Sequence, residues 1–163
     1  NKPRPQGDRR QALGSGYGWR VIGKRSLPAY AAPMPLFYEC QRCAACCRWP
    51  GQVRVTDAEI DRISDHLNLE KSDSINQFTR LRHDRRGLAL KEKPNGECVF
   101  LESGKCSIQP VKPQQCRDYP NLWRNPGMDS QCEAKPIHME AEEYWLRVSA
   151  ATGRSVDSLK SGD

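Results

Sequence analysis

Eight cysteines carry the chemistry that can be read in this sequence: Cys40, Cys43, Cys46, Cys47, Cys98, Cys106, Cys116 and Cys132. Four of them fall within the stretch CQRCAACC. Disulfides and metal are the competing explanations. The sequence opens with no secretory hydrophobic segment, Cys-x2-Cys is metal-ligand spacing, and adjacent cysteines seldom pair with each other. Two sulfurs at that spacing can converge on one ion while nearby backbone N–H groups donate to the thiolates. Tetrahedral sulfur surroundings suit zinc or an iron–sulfur cluster above other common metals. All eight cysteines are therefore candidate ligands, in one site or two.

The adjacent pair adds a geometric expectation. On a helix, Cys40, Cys43 and Cys47 lie within about 60° of one another, whereas Cys46 points about 100° away from Cys47. In a turn the angles change, but adjacent side chains are still expected to diverge. The pair thus predicts either two metal sites or one site plus a structural cysteine. Cys98 and Cys106 flank a Ser103-Gly104 turn that can bring them together, and Cys116 follows a proline-initiated turn. Cys132 is the least constrained. Eight sulfurs suffice for two four-sulfur sites, or for one cluster and one zinc.

Other groups are weaker candidates. His66 falls in the last turn of an expected helix, where a cation complements the dipole. His83 lies in the charged run RLRHDRRG, and His138 could replace a sulfur ligand. Arg48 and Arg117 directly follow cysteines and could offset thiolate charge. Trp49, Tyr119 and Trp123 read as a shield over the metal and core. Asp118 and Glu39 form no recognisable carboxylate pair. A nucleophilic cysteine needs a neighbouring base and a thiolate free of metal, and nothing points to one.

The elements that must position these thiols are short. VRVTDAEIDRISDHL has a Thr56-x-x-Glu59 capping box and a Val55–Ile60 staple, with Ile60, Ile63 and Leu67 on one stripe. Asn68 can end that helix in the left-handed region. A second helix is expected after Ser72, with Ile75, Phe78 and Leu81 facing inward. The period then changes. GLALKEKPNGECVFLESGKCSI predicts two or three strands with turns at Asn95-Gly96 and Ser103-Gly104. Prolines chop the next stretch into turns and a short helix from Pro113. A last amphipathic helix covers Met139 to Thr152, with Ala141, Tyr144, Trp145 and Val148 inward and Gly153 as its stop. The tail after Arg154 reads as polar and loose.

The expectation is a small α+β, metal-stabilised single domain with short hairpin strands and three or four helices. Residues 34–135 hold the cysteine cluster, and 136–163 hold the C-terminal amphipathic helix and tail. Mean hydropathy is −0.81 and apolar residues make up 37%, so the core should be small and in need of staples. No apolar run is long enough to span a membrane.

Charge is uneven along the chain. Residues 1–33 contain seven of the 26 basic residues and one of the 20 acidic ones, so the whole formal excess of +6 sits there. This Pro- and Gly-rich segment reads as an extended basic arm that lies along an acidic partner, protein or RNA, with Tyr17, Trp19 and Tyr30 as anchors. Basic, acid-poor leaders belong to organelle import. The expected location is a plastid or mitochondrial soluble compartment, with the cytoplasm as alternative.

CQRCAACC, then VRVTDAEIDRI, then CVFLESGKCSIQPVKPQQCRDYP, resembles the YkgJ-type cysteine-cluster family, also called the CxxCxxCC or zinc/iron-chelating domain. The resemblance spans about Phe37 to Cys132, with three blocks in the family's order. It implies that Cys40, Cys43, Cys46, Cys47, Cys106 and Cys116 match the family's core cysteines, with Cys98 a frequent companion, on a small metal-bound α+β unit. Some members are linked to lysine methylation of flagellin. This chain has no methyl-donor motif, such as a Gly-rich loop after a strand, and that activity does not carry over.

Three functional classes follow. The first is a zinc or iron–sulfur accessory or assembly protein that docks by its basic arm on a larger protein or ribonucleoprotein complex. The second is an iron–sulfur redox or protein-modifying enzyme. The third is a zinc-stabilised nucleic-acid-binding module, against which the neutral body argues. The first is favoured because no catalytic constellation is visible.

Overall fold

The computed structural model describes residues 34–162. The basic segment 1–33, with its expected anchors, lies outside the described residues. In chain order the elements are β1 (Leu36–Glu39), α1 (Ala45–Arg48), β2 (Arg54–Val55), α2 (Asp57–Leu67), α3 (Lys71–Phe78), β3 (Thr79–Leu81), β4 (Leu88–Leu90), β5 (Leu101–Glu102) and β6 (Lys105–Cys106). A 3-10 turn (Gln109–Val111) follows, then α4 (Gln114–Asp118), α5 (Met128–Gln131), β7 (Lys135–His138), α6 (Ala141–Thr152) and α7 (Val156–Ser161). The class is α+β, and every strand pairing is antiparallel. Among the described residues no helix is long and apolar enough to cross a membrane.

Helix α2 forms where local signals agree. Thr56 accepts the Glu59 N–H at 3.3 Å, and the Glu59 carboxylate takes the Thr56 N–H at 2.7 Å. Asn68 ends the helix at φ 54°. The inward stripe buries Ile60 and Ile63, each stabilised by about 1.5–3 kcal/mol on leaving water. They pack with Val55, Leu90, Phe100 and Ile108 into a first core, against which Cys98 and Cys106 also rest. The three-stranded sheet β2-β4-β3 backs this core.

A second core is smaller. Phe37 of β1, Met139 and Val148 of α6 are buried together, with Ile137, Tyr144 and Leu159 against them. The β1–β7 ladder, Leu36 opposite His138 through Glu39 opposite Lys135, pairs the first described strand with the last.

Helix α4 joins the cores by polar contacts. The Gln114 backbone N–H donates to Glu59 at 2.6 Å, and its side-chain amide donates to Asp118 and to the Thr152 carbonyl. Arg154 donates to both oxygens of Asp118, at 3.0 and 2.7 Å. Asp118 is thereby buried with its charge matched.

Three expectations need correction. Leu81 is 50% exposed, because the chain leaves helical period at Thr79 and Leu81 ends an outer strand. Ala141 is exposed in the first turn of α6; Val148 and Thr152 are the fully buried positions of that helix. The segment after Arg154 is not loose. Ser155 caps α7 by accepting the Ser158 N–H at 3.2 Å, and Leu159 docks on the second core.

Candidate metal centre

Both cores contribute to placing the cysteines. The β1–β7 ladder ends at Glu39 and Lys135, which places Cys40 just after one strand and Cys132 shortly before the other. After Cys40 the backbone turns through two left-handed residues, Arg42 at φ 58° and Ala44 at φ 59°. Each costs on the order of 1–3 kcal/mol for a side chain with a Cβ. They delay the helix until Ala45, so α1 is a single turn carrying Cys46 and Cys47.

The first core supplies the rest. Cys98 donates its N–H to the Cys47 carbonyl at 2.8 Å. Ser103 and Gly104, both at positive φ, form the two-residue turn that sets Cys106 opposite Leu101. Cys116 rides on α4, capped by Pro113. All eight cysteines line one cavity of about 440 Å³. All eight are free thiols.

Within the cavity the sulfurs interact. The Cys47 thiol hydrogen-bonds with Cys106 and Cys46. As acceptors, Cys46 falls to about 7 and Cys106 to about 6, each against the opposing effect of burial. Cys47, the donor, is pushed up by the same two bonds and by burial. Burial raises Cys98, Cys116 and Cys132. Three sulfurs also accept the backbone N–H two residues on: Cys98 from Phe100, Cys106 from Ile108 and Cys132 from Ala134. The Glu133 N–H reaches Cys43 Sγ at 3.5 Å. Donors aimed at sulfur favour the thiolate, the form that binds metal. Lys112 lines the cavity and its charge is felt by Cys46, Cys106 and Cys116.

This donor set fits a thiophilic ion or cluster: many sulfurs, backbone amides turned toward them and a compensating cation. Among the described residues no three His, Cys, Asp or Glu side chains stand in finished coordination geometry. The thiols surround a space rather than converge on a point.

Residues 39–143 match the model of the CxxCxxCC family, described as a putative zinc- or iron-chelating domain. The chain belongs to this family. No solved structure matches it. The CxxCxxCC signature spans Cys40 to Cys47, and the match covers all eight thiols of the cavity.

The CxxCxxCC segment does not behave as helical angles predict. Cys46 and Cys47 do not diverge to separate surroundings; they hydrogen-bond to each other and share Cys106 as a neighbour.

The other candidates scatter. His66 Nε2 lies 3.3 Å from the Ser107 carbonyl, His83 lies 3.2 Å from Arg80, and His138 sits in β7; none lines the cavity. Arg48 donates to the Cys43 carbonyl and Arg117 to the Lys112 and Pro110 carbonyls, so both brace backbone. Glu39 ends β1, while Asp118 is engaged by Arg154. Tyr119 lines the thiol cavity. Trp49 stacks tightly over Gly127, where a Cβ would stand 2.7 Å from its ring. Trp123 is turned to another groove and donates to the Gln115 carbonyl. Lys112 had no local signal beyond a position four residues before Cys116.

Proposed function

We propose that this CxxCxxCC protein is a metal–thiolate accessory or assembly factor that docks on a larger organellar complex through residues 1–33. The observation that carries the reading is the gathering of all eight thiols, brought in from both cores, around one cavity. Bound there, zinc or an iron–sulfur cluster supplies a cross-link between segments that share little hydrocarbon. The chain's part is to hold sulfurs as thiolates with backbone N–H groups and Lys112. Support for docking is the charge asymmetry, with the excess of +6 confined to residues 1–33.

A second reading, an iron–sulfur redox or protein-modifying enzyme, draws on the cavity's size. About 440 Å³ exceeds what one ion enclosed by four sulfurs requires. Purification without oxygen, with metal analysis and a visible spectrum, decides between them. Zinc with no colour supports the first reading. Broad visible absorption with iron and sulfide, together with an activity lost on bleaching, replaces it with the second. Absence of both metals from reduced, folded protein overturns both.

A further inference from the structure

A second concavity lies outside the thiol cavity. It is a groove of about 620 Å³, and no cysteine lines it. Arg54, Arg82, Arg154 and Trp123 line it, together with the carboxylates of Glu59 and Asp118. Its size falls within the range of ligand-binding clefts.

The acceptors of the groove are spent. The Glu59 carboxylate takes the N–H groups of Thr56 and Gln114 and the Thr56 hydroxyl. Asp118 takes the Gln114 side-chain amide and Arg154. The Gln115 side chain is locked on β2, accepting the Arg54 N–H and donating to the Gln52 carbonyl. The donors are not spent. The Arg54 guanidinium has no partner among the described residues, and Arg154 uses only Nε and Nη2. Arg82 uses Nη1 and Nη2, on the Arg86 carbonyl and Asp84. A guanidinium carries five N–H donors and no acceptor. The groove therefore suits a ligand rich in acceptors and negative charge.

Trp123 adds a requirement. Its ring N–H is taken by the Gln115 carbonyl at 2.7 Å, and it meets the Tyr119 ring edge to face at 5.0 Å. The side chain is nevertheless 39% exposed. What it offers a ligand is aromatic surface beside guanidinium groups, which suits a flat ring.

The β3–β4 hairpin adds length. Residues 80–86, RLRHDRR, hold four arginines and one acid, although the charges of residues 34–163 sum to zero. The tip is braced: the Arg82 N–H donates to the Gly87 carbonyl, Arg85 to the Arg82 carbonyl, Arg86 to Asp84 and His83 to Gln52. Arg85 and Arg86 are exposed, and their guanidinium groups have no partner among the described residues. They carry the cationic surface beyond Arg82 and the groove, so the matching anion repeats its charge along its length.

We propose that the groove and the hairpin tip bind single-stranded nucleic acid, with a base stacked on Trp123 and backbone phosphates on Arg54, Arg85 and Arg86. Single strands are held without sequence preference by aromatic stacking next to a cationic track. A duplex hides its ring faces. An acidic peptide brings charge without a flat ring in register, and a mononucleotide brings the ring without repeated charge. This surface belongs to the described body, separate from residues 1–33, and stands independently of the metal–thiolate reading.

The test uses the full chain and a fluorescent oligouridylate of about a dozen nucleotides, read by anisotropy across a salt series. Trp123→Leu should weaken binding roughly fivefold or more. Arg54→Gln, and Arg85→Gln with Arg86→Gln, should weaken it and reduce the slope of log affinity against log salt by about 0.7 per charge removed. These arginines are exposed, so their variants carry the test where the Trp123 variant does not fold. No binding, or affinity and salt slope unchanged in all the variants, overturns the proposal; the second result assigns the strand to residues 1–33. Oligoglutamate or uridine monophosphate competing as well as unlabelled oligouridylate at equal charge also overturns it. Metal content should be the same in every variant. Metal missing from the unaltered protein overturns the metal–thiolate reading and leaves this one standing.

Discussion

The two ends of the molecule are held together by different physics. Around α2 and the sheet β2-β4-β3, aliphatic and aromatic side chains exclude water and the backbone follows standard caps and turns. Around the thiol cavity the elements are shorter, and eight sulfurs share the lining with Leu90, Phe100 and Ile108 of the first core. The first end closes on hydrocarbon contacts. The second is written for a ligand, and its elements of two to five residues are too short to persist alone.

The largest expected effect separates the two ends by removing metal. Structural thiolate sites contribute on the order of 10 kcal/mol to folding. Chelation, or Cys106→Ser, should therefore expose the amides of Cys47, Cys98 and Cys116 to hydrogen exchange while α2 keeps more of its protection. Equal loss of protection at both ends would dissolve the contrast. Next, Ile60→Ala should cost about 2–5 kcal/mol by opening a cavity in the first core. Denaturant midpoints measure that cost, and the metal content per folded chain should stay the same.

The smallest effect lies on the link between the ends. Burial opposes the Glu59 charge, but the N–H groups of Gln114 and Thr56 and the Thr56 hydroxyl outweigh it and hold the carboxyl below its usual range. A lowered folded pKa stabilises the protein above the unfolded value. That contribution is complete above about pH 5 and fades as pH falls through the lowered value. Glu59→Gln should cost about 1–3 kcal/mol near neutrality and flatten the acid limb of the stability profile. Urea midpoints across that range provide the check; an acid limb identical in both proteins would show that Glu59 does not couple α2 to α4.

What could be read from sequence divides along the same line. The Thr56–Glu59 box, the Ile60–Ile63 stripe and the Ser103-Gly104 turn are local features, and each formed as its neighbours dictate. The family and the α+β class were legible from the spacing of the cysteines and the change of period. Long-range contacts were not. Helix α7 depends on Leu159 finding the second core, and Leu81 faces water because a strand interrupts the helix before it. The course of the chain from Cys40 to α1 takes positive φ at Arg42 and Ala44, residue types that do not advertise that conformation.

Helix α4 is five residues long, yet Gln114 grips Glu59 and Thr152, Asp118 clasps Arg154, and Cys116 stands between these two anchors. Such a short rod cannot tilt at its middle without dragging both handles. Any change in what the sulfur of Cys116 holds would thus load both grips at once, the one on Glu59 and Thr152 and the one on Arg154.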